Sequence, residues 1–431
     1  MRFLFVFCAL VFSLQSSFAA LRHRASLGIA VEKERVGVRV TAVVPQGTAE
    51  AVGLEKGDIV LEVNGHAIVD LTSLQGIVRS YYEDDPIEIS TVRAGKNIRI
   101  NGRFSPFPEE RPRDLLTEYT SFKSRSNELS ALIVSPAGSE KSRLPAVLIV
   151  AALSSSRLAN AGSLYSMSAD LAYGLARAGF RVLRFELSGS GDSEGVDFRK
   201  QDFESMLKDN LAAIDFLKSR KDVDPKSVYL FGHSTDGIAA GILGSMRDNG
   251  GVVLSSTIGR TFYERMSDTL RFQLRMDGKA AEEIHSRIEH HFQFLQRIVM
   301  GESIDGILKK DRHFGDLVNA NGRIHDDRTI EFWRQLLSYN FPKEYMKIKS
   351  PVLIVWGTSD FLTQRTCHEV IAGAVKAGGN NDVSLEIVDN LSHRYTFAKS
   401  PEESWTEMRQ SRGKMHPEII QLISGWLKKR Q

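Results

Sequence analysis

The segment Phe231-Gly232-His233-Ser234-Thr235-Asp236-Gly237 puts a serine where an apolar run ends and a helix-period stretch begins. A tight strand-to-helix turn pushes such a hydroxyl to the top of a sheet. Gly232 lets the turn close without a Cβ clash. The helix N-terminus favours the negative charge that builds on an attacked carbonyl oxygen. A serine hydroxyl is a weak nucleophile at neutral pH and needs a base. The base and the acid that orients it must come from elsewhere in the chain. Asp360 ends the run Val352 to Ser359, and His393 follows a second run that ends near Asp389. In that order Ser234 attacks a carbonyl and His393 takes and returns the proton. Asp360 orients the imidazole and stabilises its cation. The chemistry would be acyl transfer. Plainer readings stay open: Asp360 as a turn residue, His393 as a surface histidine, or Asp389 as the acid.

Such side chains need a rigid layer beneath them. Pro145 to Ala151 (PAVLIVA) is continuously apolar, as a strand buried on both faces should be. Phe180 to Phe185, Ser227 to Phe231, Val252 to Leu254, Pro351 to Trp356 and Val383 to Val388 read as further strands. Helix-period stretches separate them, at Ser163 to Ala178, Asp202 to Lys218 and Thr235 to Met246. Repeated β-then-α order predicts a parallel sheet covered by helices. Residues about 258–345 carry no strand pattern, and Lys279 to Met300 is charged with helical period. We read an inserted helical cap there. His285, His290 and His291 fall in it, but their spacing does not put all three on one helical face. They read as cap-surface residues rather than metal ligands.

The first residues, MRFLFVFCALVFSLQSSFAA, set Arg2 before an apolar run and small residues at Ser17 and Ala19. That is the layout of a secretory signal peptide over 1–19, against the alternative of a retained anchor. The apolar core is short for a span of about 20 residues. Export to the periplasm or medium is the expectation. Cys8 would leave with the leader, and the mature chain would keep only Cys367 and form no internal disulfide. Residues 25–105 alternate in short valine- and glycine-rich runs and predict a small, mostly β domain. The stretch 106–113 holds Pro106, Pro108 and Pro112 among charges and reads as a linker. Residues 114–431 form the second domain. The net charge of +3 over 431 residues, with no basic run among aromatics, gives no reason to expect nucleic acid.

Residues about 114–430 resemble bacterial α/β-hydrolases of the esterase and acylaminoacyl-peptidase kind. The resemblance rests on the Ser234 turn and on Gly189-Ser190-Gly191-Asp192-Ser193-Glu194-Gly195. Ser338-Tyr339-Asn340-Phe341-Pro342, ahead of the acid strand, also contributes. It implies a serine triad of Ser234, Asp360 and His393, with no metal or organic cofactor. By position, the N–H groups of Leu153 and Thr235 would form the oxyanion hole. Three departures stand out. Asp236 occupies a position that is normally glycine. Ala151-Ala152-Leu153 replaces the usual His-Gly. Ser188 stands where relatives often carry arginine.

Residues about 25–105 resemble a PDZ domain of the kind attached to bacterial periplasmic serine proteases. The matching residues are Leu27-Gly28-Ile29, Val43 to Ala49, Ala51 to Val60 and Val63-Asn64-Gly65. The resemblance implies strand addition by a peptide, its terminal carboxylate nested on Leu27, Gly28 and Ile29. A helix from about Leu71 to Tyr82 would be the opposite wall. The alternative is a PDZ fold that only packs against its neighbour.

Three functions fit these readings: a carboxylic ester hydrolase whose cap lines the pocket, a peptidase of the same fold fed by the PDZ domain, or a binding protein with a dead site. The expected partners are a small ester or acyl-peptide substrate and a peptide C-terminus. The sequence leaves the oligomeric state open.

Overall fold

A computed structural model describes residues 21–105, 109–152, 167–318, 324, 328–410 and 414–431. The expected leader 1–19 and Leu153 lie outside the described residues. The N-terminal unit holds β1 (Ile29–Lys33), β2 (Val38–Val43), α1 (Thr48–Val52), β3 (Ile59–Val63), β4 (His66–Ala67), α2 (Leu71–Val78), β5 (Pro86–Arg93) and β6 (Lys96–Arg103). Period-two burial builds its core: Val38 and Val40 of β2 and Ile87 and Ile89 of β5 point inward, and their neighbours do not. The sheet runs β1-β2-β3-β5-β6, so β1 is an edge strand. An Asp70–Ser73 capping box starts α2. The helix ends at Val78, short of the expected Tyr82. The Tyr81 carbonyl accepts the Ala25 N–H at 2.9 Å, and its ring stacks on Phe104 at 5.6 Å. These tertiary contacts draw Tyr81 out of the helix.

The second unit begins with β7 (Leu115–Ser124) and β8 (Asn127–Pro136), an antiparallel hairpin absent from the sequence reading. Then come β9 (Leu144–Ile149), α3 (Met167–Arg177), β10 (Arg181–Phe185), α4 (Phe203–Ser219), β11 (Val223–His233), α5 (Thr235–Met246) and β12 (Gly251–Ser255). After these come α6 (Phe262–Met276), α7 (Ala281–Val299), α8 (Ile304–Lys310), α9 (Ile330–Ser338) and α10 (Phe341–Tyr345). The chain closes with β13 (Val352–Ser359), α11 (Arg365–Ala377), β14 (Val383–Ser392), α12 (Pro401–Gln410) and α13 (Pro417–Lys428). The eight strands order as β14-β13-β12-β11-β9-β10-β8-β7, parallel from β14 to β10. Successive side chains feed two cores. Ala146 and Leu148 face one, and Val147 faces the other. This is an α/β-hydrolase fold preceded by a PDZ-type unit. Between β12 and β13 the described residues form helices and one isolated bridge pair, Ile324–Arg328.

Within the stretch read as a linker, residues 109–113 are described, and one of them is anchored. Glu110 is buried, with Arg184 and the Tyr173 hydroxyl on its carboxylate, and its N–H donates to Tyr119 Oη at 2.6 Å. A second tie crosses the two units. The Asp192 carboxylate lies 2.7 Å from His23 Nδ1 and accepts the Arg24 N–H at 2.7 Å.

Candidate active site

The turn from β11 into α5 is shaped by close approach. A Cβ on Gly232 would sit 2.5 Å from Ala240 Cβ and 2.7 Å from the Asp236 carbonyl oxygen, so only glycine fits. Ser234 takes φ +55° and ψ −128°, a costly backbone state held by its surroundings. Its N–H donates to the Ser255 carbonyl at 2.9 Å, and its own carbonyl accepts the Thr257 hydroxyl at 2.6 Å. A Cβ on Gly237 would lie 2.4 Å from Thr257 Oγ1, so the tight helix–strand contact falls on Gly237. Asp236 is thereby tolerated. Its carboxylate accepts the Ala152 N–H at 2.9 Å.

Three distant side chains meet above the sheet. His393 Nε2 lies 3.1 Å from Ser234 Oγ, and His393 Nδ1 lies 2.9 Å from Asp360 Oδ2. Parallel pairing of β13 with β14 aligns Ser359 with Ser392, which brings the next residues, Asp360 and His393, side by side. The Asp360 carboxylate also accepts the N–H groups of Leu362 and Thr363 and the Thr363 hydroxyl. Burial pushes its pKa up. The His393 imidazole and the Thr363 donors outweigh that and hold it well below the usual carboxylate range. Asp389, the alternative acid, is exposed on β14.

The sequence reading missed two histidines. His233 is buried beside His393, ring centroids 4.8 Å apart, and burial drives its pKa well down, so it stays neutral. His368 accepts the Thr257 N–H on Nε2 at 3.1 Å and donates from Nδ1 to the Gln364 carbonyl at 2.9 Å. It thus supports the residue that holds the Ser234 carbonyl. Burial lowers its pKa to about 4. Between pH 6.5 and 4 the unfolded chain binds a proton there that the folded chain refuses. Stability is full above about pH 6.5 and falls by about 3 kcal/mol as pH drops to 4. Urea midpoints across that range should show His368→Asn with a shallower acid slope than wild type; parallel slopes would refute the assignment.

A cavity of about 580 Å³ opens over Ser234 and Thr235. Phe262, Met266, Trp333 and Leu362 supply its apolar wall. As the first residue of α5, Thr235 has an N–H with no intrahelical acceptor. Leu153, the other expected oxyanion donor, lies outside the described residues. Arg265, Arg287, His290, His291 and Asp316 line the polar part. This corrects the surface reading of the cap histidines. His291 is 6% exposed, and His290 stacks on Phe314 with Nε2 3.0 Å from Asp316 Oδ1. His285 does stay at the surface, with a side chain 79% exposed. Leu27, Gly28 and Ile29 line a separate groove of about 290 Å³ between β1 and α2. Leu71, Leu74 and Val78 face them, and Gly191 of the second unit also lines the groove.

The comparisons fit this anatomy. The PDZ domain pattern matches residues 25–101, and the family described as serine aminopeptidase, S33 matches residues 161–399, more than half of the chain. No curated protein is a match. Similar solved structures include a hypothetical protein from Pseudomonas aeruginosa, 17% identical, covering 74% of this chain and 95% of that one, with TM-score 0.47. The esterase Est1E from Butyrivibrio proteoclasticus with bound ferulic acid is 16% identical, covering 72% and 96%, with TM-score 0.45. The acylaminoacyl peptidase of Pyrococcus horikoshii is 14% identical, covering 81% and 46%, with TM-score 0.44. With its strand-to-helix serine turn, its eight-stranded sheet and its helical insertion, the chain belongs to the serine aminopeptidase S33 family of α/β-hydrolases.

Proposed function

We propose that this hydrolase is exported and cleaves carboxylic esters through an acyl-enzyme on Ser234. The observation that carries the reading is the hydroxyl–imidazole–carboxylate line, 3.1 Å and then 2.9 Å long. His393 takes the Ser234 proton as Oγ attacks the ester carbonyl, and the Thr235 N–H faces the oxyanion. Collapse expels the alcohol, which receives that proton from His393. A water then attacks the acyl-enzyme with His393 again as base, releasing the acid. The direction of Asp236 toward Ala152 leaves His393 to Asp360, which weighs against a dead site.

The cavity favours esters over substrates with a free amino terminus. An ammonium needs a carboxylate partner, and among the described lining residues Asp316 is the one carboxylate, already beside His290. The free edge of β1 and the Leu27–Ile29 turn suit an extended peptide C-terminus. The leader pattern supports export, with a mature N-terminus at Ala20 on sequencing.

A fluorophosphonate probe should label Ser234 in folded protein, and short p-nitrophenyl esters should turn over faster than aminoacyl amides. Absence of an adduct on Ser234 would end the acyl-enzyme reading, and a strong preference for amides would shift it to a peptidase.

A further inference from the structure

Beside the hydroxyl–imidazole–carboxylate line lies a second imidazole that acyl transfer does not use. His233 is the last residue of β11 and pairs there with Ser255 of β12, so its backbone belongs to the sheet. Its buried ring lies against His393, with centroids 4.8 Å apart. The Tyr395 ring meets it from another side in a T-shaped contact at 4.7 Å.

His393 has no such anchorage. It follows the last residue of β14, in a turn where Tyr395 takes φ +62°. Asp360 holds its Nδ1 at 2.9 Å, and its Nε2 faces Ser234 Oγ at 3.1 Å. Bonds at two ring nitrogens leave a ring able to roll about the line that joins them. A close-packed neighbour removes that freedom. The His393 side chain is 8% exposed, and His233 is part of what encloses it.

The His233 Nδ1 is buried with no hydrogen-bond partner among the described residues. A buried unpaired nitrogen costs stability, so the ring and not this nitrogen is what the position uses. The titratable groups that act on His233 are His393, Asp360 and His368. Burial first, and then the His393 cation, hold its pKa well below the usual imidazole value. Of the two rings, only His393 takes the proton.

We infer that His233 is a positioning residue for the general base: its ring stops His393 from rolling out of line with Ser234 and keeps water off it. This rests on the acyl-enzyme reading above.

Two variants separate the ring from the rest of the side chain. For His233→Ala we expect kcat on a p-nitrophenyl ester to fall roughly 10- to 100-fold with KM little changed, as a misplaced group gives. Water entering the vacated space solvates the His393 cation, so the acid limb of kcat/KM should move to higher pH by about half a unit to one unit. The downfield proton resonance of the His393 Nδ1–H, which faces Asp360, should broaden. His233→Phe restores a ring without the unpaired nitrogen. It should recover most of the lost kcat, return the acid limb to its wild-type place and melt no lower than wild type. A merely structural role would lower the melting temperature of His233→Ala and leave the acid limb where it was. If the alanine variant does not fold, His233→Val opens less space and should show the same shifts at smaller size. An unmoved acid limb in the folded small-residue variant, or equal losses in it and in His233→Phe, would overturn the inference. Failure of the underlying reading looks different: wild-type turnover would survive Ser234→Ala.

Discussion

Replacing Ser234 by alanine will lower kcat roughly 10⁶-fold, and adding His393→Ala to that variant will lower it no further. The absence of a second penalty is the diagnostic part. Ser234 Oγ and His393 Nε2 are 3.1 Å apart, and in the proposed acyl-enzyme route each is useless without the other. His393→Ala alone should cost about as much as Ser234→Ala alone. Asp360→Asn should cost less, roughly 10⁴-fold. Its carboxylate takes two backbone N–H groups and one hydroxyl besides the imidazole, and an amide can accept with only one of its two atoms. The amide group would therefore face a donor it cannot satisfy and would misalign the ring. Steady-state rates of the three single variants and the double variant check this. Additive losses in the double variant would mean that hydroxyl and imidazole act independently, and the relay would be refuted.

The parts of the site that the sequence announces are those fixed by local chain geometry. The serine turn lies between an apolar run and a helical period, and α5 spans Thr235–Met246 as read. Asp360 and His393 follow strands whose apolar runs are plain. The parts it hides depend on long-range contact. Asn210, Arg328 and His368 reach backbone atoms 59, 176 and 111 residues away, and no spacing rule encodes such pairs. His291 is buried although the local sequence around it on α7 is charged. The β7–β8 hairpin went unread for another reason. Its turn runs through Arg125 at φ +56° without the Asn-Gly signature that marks such turns. The mixed exposure along β7 also blurs the alternation that flags a strand.

The second large effect lies at the join between the two units. Glu110→Ala should destabilise the folded chain by about 3–5 kcal/mol, because it strips a buried guanidinium of its counter-charge. The Arg184 and Glu110 side chains are 6% and 5% exposed. Arg184 Nε already has no hydrogen-bond partner among the described residues, and Asp170 acts on the guanidinium only through its charge. The Tyr173 hydroxyl would lose its acceptor at the same time. Desolvation makes such a pair costly to break but cheap to replace. The double variant Glu110→Leu/Arg184→Met should therefore recover most of the loss, since neither charge is then buried. Urea unfolding of the single and double variants measures both. Glu110 also pins the stretch that leads from the PDZ unit into β7, so its loss should speed proteolytic cleavage between residues 104 and 114 before global unfolding. A Glu110→Ala chain as stable and as protease-resistant as wild type would mean that the ion pair does not hold the join, and the connection would be a passive spacer after all.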